Sequence, residues 1–535
     1  MSKQKNSSNP TMLLILDGFG YNESSFGNAI KKAHMPNWNR FLAEYPHKLI
    51  QAAGEFVGLM PGFIGNSEVG HANIGCGRIV ETDFVKFNEA IEDGSIFENK
   101  ILINNFEKIK KLNKSLHLMG LLSDAGVHSY INHLFALIKL AKELNLKNVF
   151  VHAFLDGRDV PPKSAAKYLQ ELEVVCDKNN YKIASLHGRF YAMDRDKNWD
   201  RTQKSYDVLC KFNINTQKTD LTWQQVLKSS YDQNITDEFL EPTLLVDNGY
   251  IKENDGIFFF NFRPDRAIQL TESFIDPEFN KFPVKNLNST KNTISFFITP
   301  VRYKKDFTKF NNEILFEKEA VKHTLLDEIA EQTHGKKVFI IAETEKYAHV
   351  TYFFRGLCEK QLPSETRKLI PSIKAKNYVE HPEMSAEKIT QEILYSLKND
   401  PAYFYLVNYA NPDMVGHSGD FEATIKACEF IDKQLGILYQ EIVEKLGGTI
   451  FITGDHGNAE NMIDEKTGGP ITAHTNNPVV FMMINKNLKN KINKNTNLDI
   501  NSKLCLANIA PTILKYLELK IPKDMLQETI FDKLN

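Results

Sequence analysis

The chain has 535 residues, of which 42% are hydrophobic and 25% are charged, and this composition is typical of packed globular proteins and excludes a fibrous or disordered chain. Its length predicts three or four domains or two large ones. The formal net charge of −2 excludes a globally basic surface, so we expect neither nucleic acid nor a membrane as a partner.

The first apolar run of the chain, "TMLLILDGFG", ends at Asp17 and predicts a strand that is buried on both faces. Similar runs recur along the chain, and each leads into polar side chains. Ligands of open α/β sheets bind beyond the carboxyl ends of the strands, so we expect site residues there. The polar residues that follow these runs are, in chain order, Asp17, Asp124, His128, Asp156, Arg158, Asp159, Arg189, Arg195, Arg263, Arg266, Asp413, His417, Asp455 and His456.

The stretches between the runs, such as "INHLFALIKLAKELN" and "ATIKACEFIDKQLGILYQEIVEKL", have the apolar period and the length of helices. The alternation of strands and helices predicts the α/β class. Acidic and imidazole side chains come from both ends of the chain, whereas the arginines concentrate between about Asp124 and Arg266. This distribution predicts a discontinuous domain that carries an inserted one.

Ser67 lies in the glycine-rich segment "GFIGNSEVG". Serine is a favoured N-cap, so one interpretation is that Ser67 only caps a helix. The other is that Ser67 is a nucleophile, which requires a base or a metal to activate its hydroxyl.

Asp413 and His417 are four residues apart in "DMVGH" and could reach one cation from a single turn. Asp455 and His456 are adjacent, and "TAHT" adds His474. A lone pair of this spacing is also common on protein surfaces, but several such motifs follow strands here. Carboxylate and imidazole ligands without cysteine suit Mn²⁺, Zn²⁺ or Co²⁺ better than Ca²⁺. Two such ions could clamp the attacking and leaving oxygens of a phosphoryl transfer.

The arginines of "HGRFYAMDRDKNWDR" and "NFRPDRA" lie in short loops after apolar runs. They are either ordinary surface charge or an anion site. Guanidinium groups bind phosphate and carboxylate in bidentate geometry, so a small molecule with both anions is the predicted ligand. Asp159 lies beside Arg158, where it could act as a general base.

The six cysteines have no CxxC spacing, so neither a disulfide framework nor a thiolate metal site is indicated. The amino terminus "MSKQKNSSNP" is polar, and no run approaches the roughly 18 apolar residues of a membrane span. We therefore expect a cytoplasmic protein. The Asn/Lys-rich tract from Ile484 to Lys503 predicts a solvated loop.

The motifs together resemble those of the 2,3-bisphosphoglycerate-independent phosphoglycerate mutases of the alkaline phosphatase superfamily. The family's order is kept over nearly the whole chain by "LILDGFG", "GNSEVGHANIGCGR", "SDAGVHS", "HAFLDGRDVPP", "HGRFYAMDRD", "NFRPDRA", "AETEKYAHVT", "NPDMVGH", "TGDHGNAE" and "TAHT". The resemblance implies a phosphatase-like, metal-binding domain from residues 1–80 and 312–535. It also implies an inserted α/β transferase domain over 84–303, with hinges at 78–84 and 303–314.

The same resemblance implies the site residues. One metal would bind Asp413, His417 and His474, and the other would bind Asp17, Ser67, Asp455 and His456. Implied substrate contacts are His128, Arg158, Asp159, Arg189, Arg195, Arg263, Arg266 and Lys346. The two divalent ions would be Mn²⁺, with Co²⁺, Mg²⁺ or Zn²⁺ as alternatives, and the enzyme would be a monomer that needs no 2,3-bisphosphoglycerate.

The implied activity is that of an isomerase that interconverts 3-phosphoglycerate and 2-phosphoglycerate in glycolysis and gluconeogenesis. Ser67 would take the phosphoryl group as phosphoserine, and Lys346 would neutralise that group beside the metals. Asp159 would then deprotonate the 2-hydroxyl of the glycerate, which takes the group back.

Three alternatives remain: a hydrolase of the same superfamily, a mutase of pentose phosphates, and a binding protein on an inactive scaffold. The arginine-rich insert argues against the first, the "MDRD" and "RPDR" motifs against the second, and the complete ligand set against the third. The chain departs from the family at "YFFRGLCEK" and "IVETD", which leaves open the conformation of one loop, at Arg355–Cys358, and the detail of one hinge.

Overall fold

The structure is a computed structural model that describes residues 9–212, 222–285, 288–289, 292–310, 312–317, 320–375, 378–491 and 503–531. Its strands are β1 (Thr11–Leu16), β2 (His47–Ile50), β3 (Leu116–Leu122), β4 (Val149–Leu155), β5 (Lys182–Gly188), β6 (Thr243–Leu244), β7 (Gly256–Phe259), β8 (Asn288–Ser289), β9 (Asn292–Thr293), β10 (Phe296–Thr299), β11 (Asn312–Ile314), β12 (Val338–Glu343), β13 (Glu365–Ile370), β14 (Phe404–Tyr409), β15 (Thr449–Gly454) and β16 (Val479–Ile484). Its α-helices are α1 (Ala29–Lys32), α2 (Pro36–Glu44), α3 (Ser67–Cys76), α4 (Asp83–Glu92), α5 (Lys100–Lys111), α6 (Ile131–Glu143), α7 (Ala165–Asn179), α8 (Arg189–Ala192), α9 (Trp199–Cys210), α10 (Trp223–Asp232), α11 (Ile268–Ile275), α12 (Leu325–Gln332), α13 (Ala386–Asn399), α14 (Asn411–Gly416), α15 (Phe421–Leu438) and α16 (Ile509–Tyr516).

The chain forms two compact units, one of Met1–Thr82 with Glu319–Asn535 and the other of Asp83–Lys318. The first crossing between them falls within the stretch 78–84. The range of the second unit continues past the stretch 303–314 that the sequence suggested as a hinge. The physical reason is that β11 pairs with β10 and so belongs to the sheet of the second unit.

The first unit is built on a seven-stranded sheet with the order β13-β12-β14-β1-β15-β16-β2. The strands from β13 to β15 are parallel, and β16 runs antiparallel to both of its neighbours. All six residues of β1 are buried, and those from Met12 to Leu16 alternate between two hydrophobic cores. Helices α2, α13 and α15 contribute to one core and α12 and α16 to the other, so the sheet is covered on both faces.

The second unit contains another seven-stranded sheet, with the order β11-β10-β7-β3-β4-β5-β6. It is parallel except for β6, which runs antiparallel to β5. Alternate residues of β3 again face two cores, with Leu118 in one and Met119 in the other. The two sheets confirm the predicted α/β class with two parallel-rich units.

A buried row of polar side chains crosses the sheet of the second unit. The His117 ring lies 3.1 Å from a carboxylate oxygen of Asp255 and 2.9 Å from the His152 ring. The Ser185 hydroxyl then lies 2.7 Å from both the His152 and the His187 rings. Hydrogen bonds therefore connect β3, β4 and β5 through their side chains as well as through the backbone.

The predicted helices lie where their apolar period placed them, in α6 and α15, and α15 continues as a π-helical turn over Tyr439–Lys445. All six cysteines are free. Part of the Asn/Lys-rich tract, residues 492–502, lies outside the described residues. Among the helices that the structure describes, none combines the length and the apolar character that a membrane span requires.

Candidate metal centre and anion site

Four neighbouring strands of the first unit bring the candidate metal residues together. Strands β12, β14, β1 and β15 are adjacent and parallel, so their carboxyl ends meet at one edge of the sheet. Lys346, Asp413, Asp17 and Asp455 follow these strands in that order. The sheet therefore gathers residues that are more than 400 positions apart in the sequence.

Ser67 begins α3, but it does not cap this helix. The N-cap is Asn66, whose side chain accepts a hydrogen bond of 3.0 Å from the backbone N–H of Val69. The interpretation of Ser67 as a cap is thus wrong, because the preceding residue satisfies the free N–H group. A Cβ atom at Gly70 would lie 2.5 Å from the backbone oxygen of Asp455. Glycine at this position lets the helix approach the loop that follows β15.

The Ser67 hydroxyl is buried among charged groups. It donates to Asp17 Oδ1 at 3.1 Å, and its oxygen lies 2.9 Å from His456 Nε2. Lys346 Nζ donates to the same oxygen at 2.7 Å. The hydroxyl therefore contacts a carboxylate, an imidazole and an ammonium at once.

Asp413, His417 and His474 form a triangle of potential ligand atoms. Asp413 Oδ1 lies 3.3 Å from His417 Nε2 and 3.2 Å from His474 Nε2, and the two Nε2 atoms are 2.9 Å apart. Ligands at about 2.0–2.1 Å from one ion are spaced by about 3 Å. The spacing of the three atoms fits a single divalent cation.

The histidine rings of this triangle are held in the orientation that a metal ligand needs. The Nδ1 of His417 donates to the Thr472 carbonyl oxygen at 2.8 Å, and the Nδ1 of His474 donates to the Gly65 carbonyl oxygen at 2.9 Å. Such bonds fix the tautomer with the proton on Nδ1. In its neutral form each ring therefore carries its lone pair on Nε2, which is the atom that would bind a cation.

A second group consists of Asp17, Asp455 and His456, whose ligand atoms all lie within 4.8 Å of one another. His456 Nε2 is 3.5 Å from Asp17 Oδ1 and 3.6 Å from Asp455 Oδ2. Asp455 Oδ2 is buried and has no hydrogen-bond partner. A buried carboxylate oxygen is costly to leave unsatisfied, and a cation would satisfy it. With the nearby Ser67 hydroxyl, this group also fits a divalent ion.

His71 and Asn408 support the second group, although the sequence analysis did not single them out. Asn408 Nδ2 donates to Asp17 Oδ2 at 2.8 Å and lies 3.0 Å from His71 Nε2. His71 Nδ1 lies 3.2 Å from Asp455 Oδ2. Both residues are fully buried. Asn408 orients the Asp17 carboxylate as outer-shell partners do at metal sites, whereas His71 Nδ1 donates to the Ser67 carbonyl oxygen at 2.9 Å and approaches Asp455 without a hydrogen bond. The motif "GNSEVGH" contains His71, but nothing in its sequence indicates this contact.

The buried Lys346 sets the charge state of the group. Its Nζ lies 2.7 Å from both Asp17 Oδ1 and Asp413 Oδ2. Burial lowers the pKa of Lys346, but the two carboxylates outweigh burial and hold it above its ordinary value. Burial raises the pKa values of Asp17 and Asp413. The positive charge of Lys346 outweighs this effect and brings both pKa values below the ordinary range of an aspartate. Both carboxylates are therefore ionised and available to cations.

Three neighbouring carboxylates act on the pKa of His456. Burial lowers its pKa, but the charge of Asp455, with Asp17 and Asp413, raises it to about 9. An imidazole must lose its proton to bind a metal, so metal binding here would release a proton.

The second unit places its charged residues in the same way, at the carboxyl ends of the adjacent parallel strands β7, β3, β4 and β5. Arg263, His128, Asp159 and Arg189 follow these strands in that order. The sheet edge therefore joins four sequence motifs into one site.

Arg189 is buried and bridges two carboxylates. Its Nη1 donates to Asp156 Oδ1 at 2.7 Å and to Asp159 Oδ2 at 2.6 Å. His128 Nε2 lies 3.9 Å from Asp159 Oδ2, and burial, with Arg189, lowers the pKa of His128 to about 3. His128 is thus neutral and can donate or accept a hydrogen bond. Asp124, by contrast, is bound by a lysine and a tyrosine of α7.

Asp265 organises the remaining side of this site, and the sequence analysis did not single it out. It accepts a hydrogen bond of 2.7 Å from Arg195 Nη1, and its Oδ1 lies 3.2 Å from Arg263 Nε. The same oxygen is 3.6 Å from His128 Nδ1. The aspartate of the "RPDR" motif therefore holds two of the predicted anion-binding arginines.

Arg266 shows that the site carries excess positive charge. Burial lowers its pKa, and the charges of Arg195, Arg189 and Arg158 lower it further. Its Nη1 donates to the backbone oxygen of Met193 at 3.3 Å. Guanidinium groups that repel one another in this way could be brought together by a multiply charged anion.

The departure at "YFFRGLCEK" is a packed structural feature. Arg355 is buried and donates to Glu365 Oε1 at 2.5 Å and to Asp327 Oδ1 at 2.7 Å. Gly356 and Leu357 follow with φ values of 58° and 69°. Arg355 thus ties the loop to β13 and α12, and its contacts involve none of the candidate ligands.

Comparison with known proteins covers the whole chain. Residues 87–305 match the family described as "BPG-independent PGAM N-terminus", and residues 274–496 match "Type I phosphodiesterase / nucleotide pyrophosphatase". The chain is 44% identical over 529 residues to the 2,3-bisphosphoglycerate-independent phosphoglycerate mutase of Clostridium novyi (strain NT), covering 98% of this chain and 99% of that one. It is 43% identical over 533 residues to the enzyme of the same name from Clostridioides difficile (strain 630), covering 98% and 99%.

A solved structure of Leishmania mexicana phosphoglycerate mutase, determined at low cobalt concentration, superposes with a TM-score of 0.70 and 29% identity and covers 98% of both chains. The matches extend over both units, which a hydrolase of the superfamily or an inactive scaffold would not explain. The chain therefore belongs to the family of 2,3-bisphosphoglycerate-independent phosphoglycerate mutases, isomerases that interconvert 3-phosphoglycerate and 2-phosphoglycerate in glycolysis.

Proposed function

We propose that the chain carries out this interconversion through a phosphoserine at Ser67. The observation that supports the proposal is the setting of the Ser67 hydroxyl, which contacts Asp17, His456 and Lys346. Because Asn66 already caps the helix, the Ser67 hydroxyl is not needed as a cap, and it lies among charged groups that could activate it.

The proposed cofactors are two divalent ions, Mn²⁺ or Co²⁺ in the first place. One would be held by Asp413, His417 and His474 and the other by Asp17, Asp455, His456 and Ser67. When bound, they would supply Lewis-acid stabilisation of the attacking and leaving oxygens. The relative from Leishmania mexicana was studied with cobalt, in agreement with a nitrogen- and oxygen-ligand site.

In the first half-reaction Ser67 Oγ loses its proton and forms a bond to phosphorus, while the bond from phosphorus to the 3-oxygen of the substrate breaks. The 3-oxygen takes up a proton and leaves glycerate. Lys346 stays protonated because Asp17 and Asp413 raise its pKa, so its ammonium balances the negative charge of the transferring group.

In the second half-reaction the arginines hold the glycerate, and its 2-hydroxyl attacks the phosphoserine. Asp159 is the proposed base that takes the 2-hydroxyl proton, after which the Ser67 oxygen leaves and recovers a proton. Arg189 and His128 lie beside Asp159, so the base sits next to groups that bind an anion. Such positioning converts the return of the phosphoryl group into a step within one complex.

The test is the variant Ser67→Ala, assayed with 3-phosphoglycerate and enolase in the absence of 2,3-bisphosphoglycerate. We expect mutase activity to fall by about 10³-fold or more with the fold retained, because both half-reactions pass through Ser67. Ser396→Ala is a matched control, since Ser396 is also a buried serine of the first unit, and its hydroxyl donates to the Asp400 carbonyl oxygen and accepts from the Tyr405 hydroxyl, neither of which belongs to a candidate ligand. Substantial activity in Ser67→Ala, or phosphate on another residue in acid-quenched enzyme by mass spectrometry, would refute the proposal.

A further inference from the structure

Glu460 is a fully buried carboxylate whose hydrogen bonds reach the loops of the candidate metal centre. Its Oε2 accepts hydrogen bonds from the backbone N–H groups of Gly20 at 3.1 Å and of Asn458 at 2.8 Å. Its Oε1 accepts from the Thr475 hydroxyl and from Asn477 Nδ2, the latter at 2.9 Å. Each oxygen thus accepts two hydrogen bonds from uncharged donors.

The four donors belong to the loops that carry the candidate ligands. Gly20 lies three residues after Asp17, and Thr475 follows His474 directly. Asn458 belongs to the loop of the second group, and its Nδ2 donates to Asp413 Oδ1 at 3.0 Å. Glu460 therefore connects the loops after β1 and β15 with the loop of His474, and Asn458 links it to Asp413 in the loop after β14.

Two glycines make room for this carboxylate. A Cβ atom at Gly20 would lie 2.4 Å from the carboxyl carbon of Glu460, and one at Gly457 would lie 2.4 Å from its Oε1. Neither glycine has a positive φ, so their backbone conformations do not require glycine. The requirement is steric and comes from the close approach of Glu460 to the backbone.

The hydrogen bonds of Glu460 distinguish it from the candidate metal ligands. Both of its oxygens already accept two hydrogen bonds, whereas Asp455 Oδ2 has none. A buried carboxylate with four donors holds those donors rigidly, because leaving any of them unsatisfied is costly. Its negative charge also adds to that of the nearby carboxylates and favours a cation.

We propose that Glu460 is a positioning residue that sets the affinity of this site for divalent cations by fixing the ligand loops. This inference rests on the proposed metal-dependent function, and it assigns to Glu460 no contact with the substrate. Removing an outer-shell partner of a metal site lowers metal affinity by about 10- to 100-fold. We expect the same loss here, with substrate binding unchanged once metal is saturating.

The test is Glu460→Gln in the full chain, after removal of metal with a chelator. The glutamine side chain has the size of glutamate. Its NH₂ group, however, cannot accept a hydrogen bond, so the two donors that it faces lose their acceptor. A calorimetric titration with Mn²⁺ alone should give a dissociation constant about 10- to 100-fold higher for the variant than for the wild type. At limiting Mn²⁺ the variant should lose activity, and at saturating Mn²⁺ kcat should recover with KM for 3-phosphoglycerate within about twofold of wild type.

Asp432→Asn is the matched control. Asp432 is buried in the same unit and accepts from the backbone N–H groups of Asn37 and Trp38 at 3.1 and 2.7 Å, but its contacts involve no candidate ligand. Its Mn²⁺ affinity should equal that of the wild type. Thr475→Val, which removes one donor, should weaken Mn²⁺ binding in the same direction and less strongly, and it provides the test if Glu460→Gln does not fold.

Mn²⁺ affinity unchanged within about twofold in the Glu460 and Thr475 variants would overturn the inference, as would an equal loss in Asp432→Asn. The two proposals fail differently. If the wild-type chain itself binds no Mn²⁺, the metal-dependent function fails; if it binds Mn²⁺ and the variants bind it equally well, only the role of Glu460 fails.

Discussion

His133 makes the stability of the second unit depend on pH. The residue is fully buried in α6, where its ring stacks on Phe87 with 4.0 Å between the ring centroids. Its Nε2 donates to Asn88 Oδ1 at 2.8 Å, and its Nδ1 is buried without a hydrogen-bond partner. A proton on Nδ1 would be a buried charged donor without an acceptor. Burial accordingly lowers the pKa of His133 to about 3.

The size of the effect follows from the two pKa values. In the unfolded chain a histidine titrates near 6.5, so below this pH the unfolded chain binds a proton that the folded chain does not. The stability is therefore fully present above about pH 6.5 and is lost as the pH falls toward 3. At pH 5 the loss from His133 alone is about 2 kcal/mol. Burial lowers the pKa of His187 to about 3 as well, so a similar loss adds to it.

Hydrogen exchange of the α6 amides in the full chain measures this loss at about pH 7.5 and about pH 5. His133→Gln keeps an N–H donor for Asn88 but does not titrate. Between pH 7.5 and pH 5 the opening free energy of α6 should therefore fall by about 2 kcal/mol less in this variant than in the wild type. His34→Gln, at an exposed position of the first unit, should leave the exchange of α6 unchanged. Equal losses in the wild type and His133→Gln would refute the reasoning.

Two further predictions concern activity. Removal of divalent ions with a chelator should abolish mutase activity and Mn²⁺ or Co²⁺ should restore it, and full activity in protein shown to be metal-free would contradict the proposed centre. Arg266→Ala should lower mutase activity more than the slow release of phosphate to water, because the variant weakens the hold on glycerate and leaves the candidate metal ligands intact. The ratio of the two rates measures this, with Arg302→Ala as a control because Arg302 pairs with Glu317 at the surface; an unchanged ratio would count against an anion-binding role for Arg266.

The sequence by itself determined the strands and the positions of the charged residues after them. The run "MLLIL" is apolar at every position, which predicts a strand buried on both faces, and β1 (Thr11–Leu16) has all six residues buried. Asp17, Asp413 and Asp455 each follow such a run, so their place at a sheet edge could be predicted locally. The motifs also indicated the family, which the full-length relatives confirmed.

The tertiary structure alone decided which of these residues meet. The order β12-β14-β1-β15 brings together Lys346, Asp413, Asp17 and Asp455, and no local pattern encodes the order of strands in a sheet. The structure also shows that Asn66, rather than Ser67, caps α3. Asp265, His71 and Glu460 gained their roles in the same way, because the meaning of a buried carboxylate or imidazole depends on which donors and acceptors surround it. Those partners come from segments up to 440 residues away, and only the packed chain brings them within hydrogen-bonding distance.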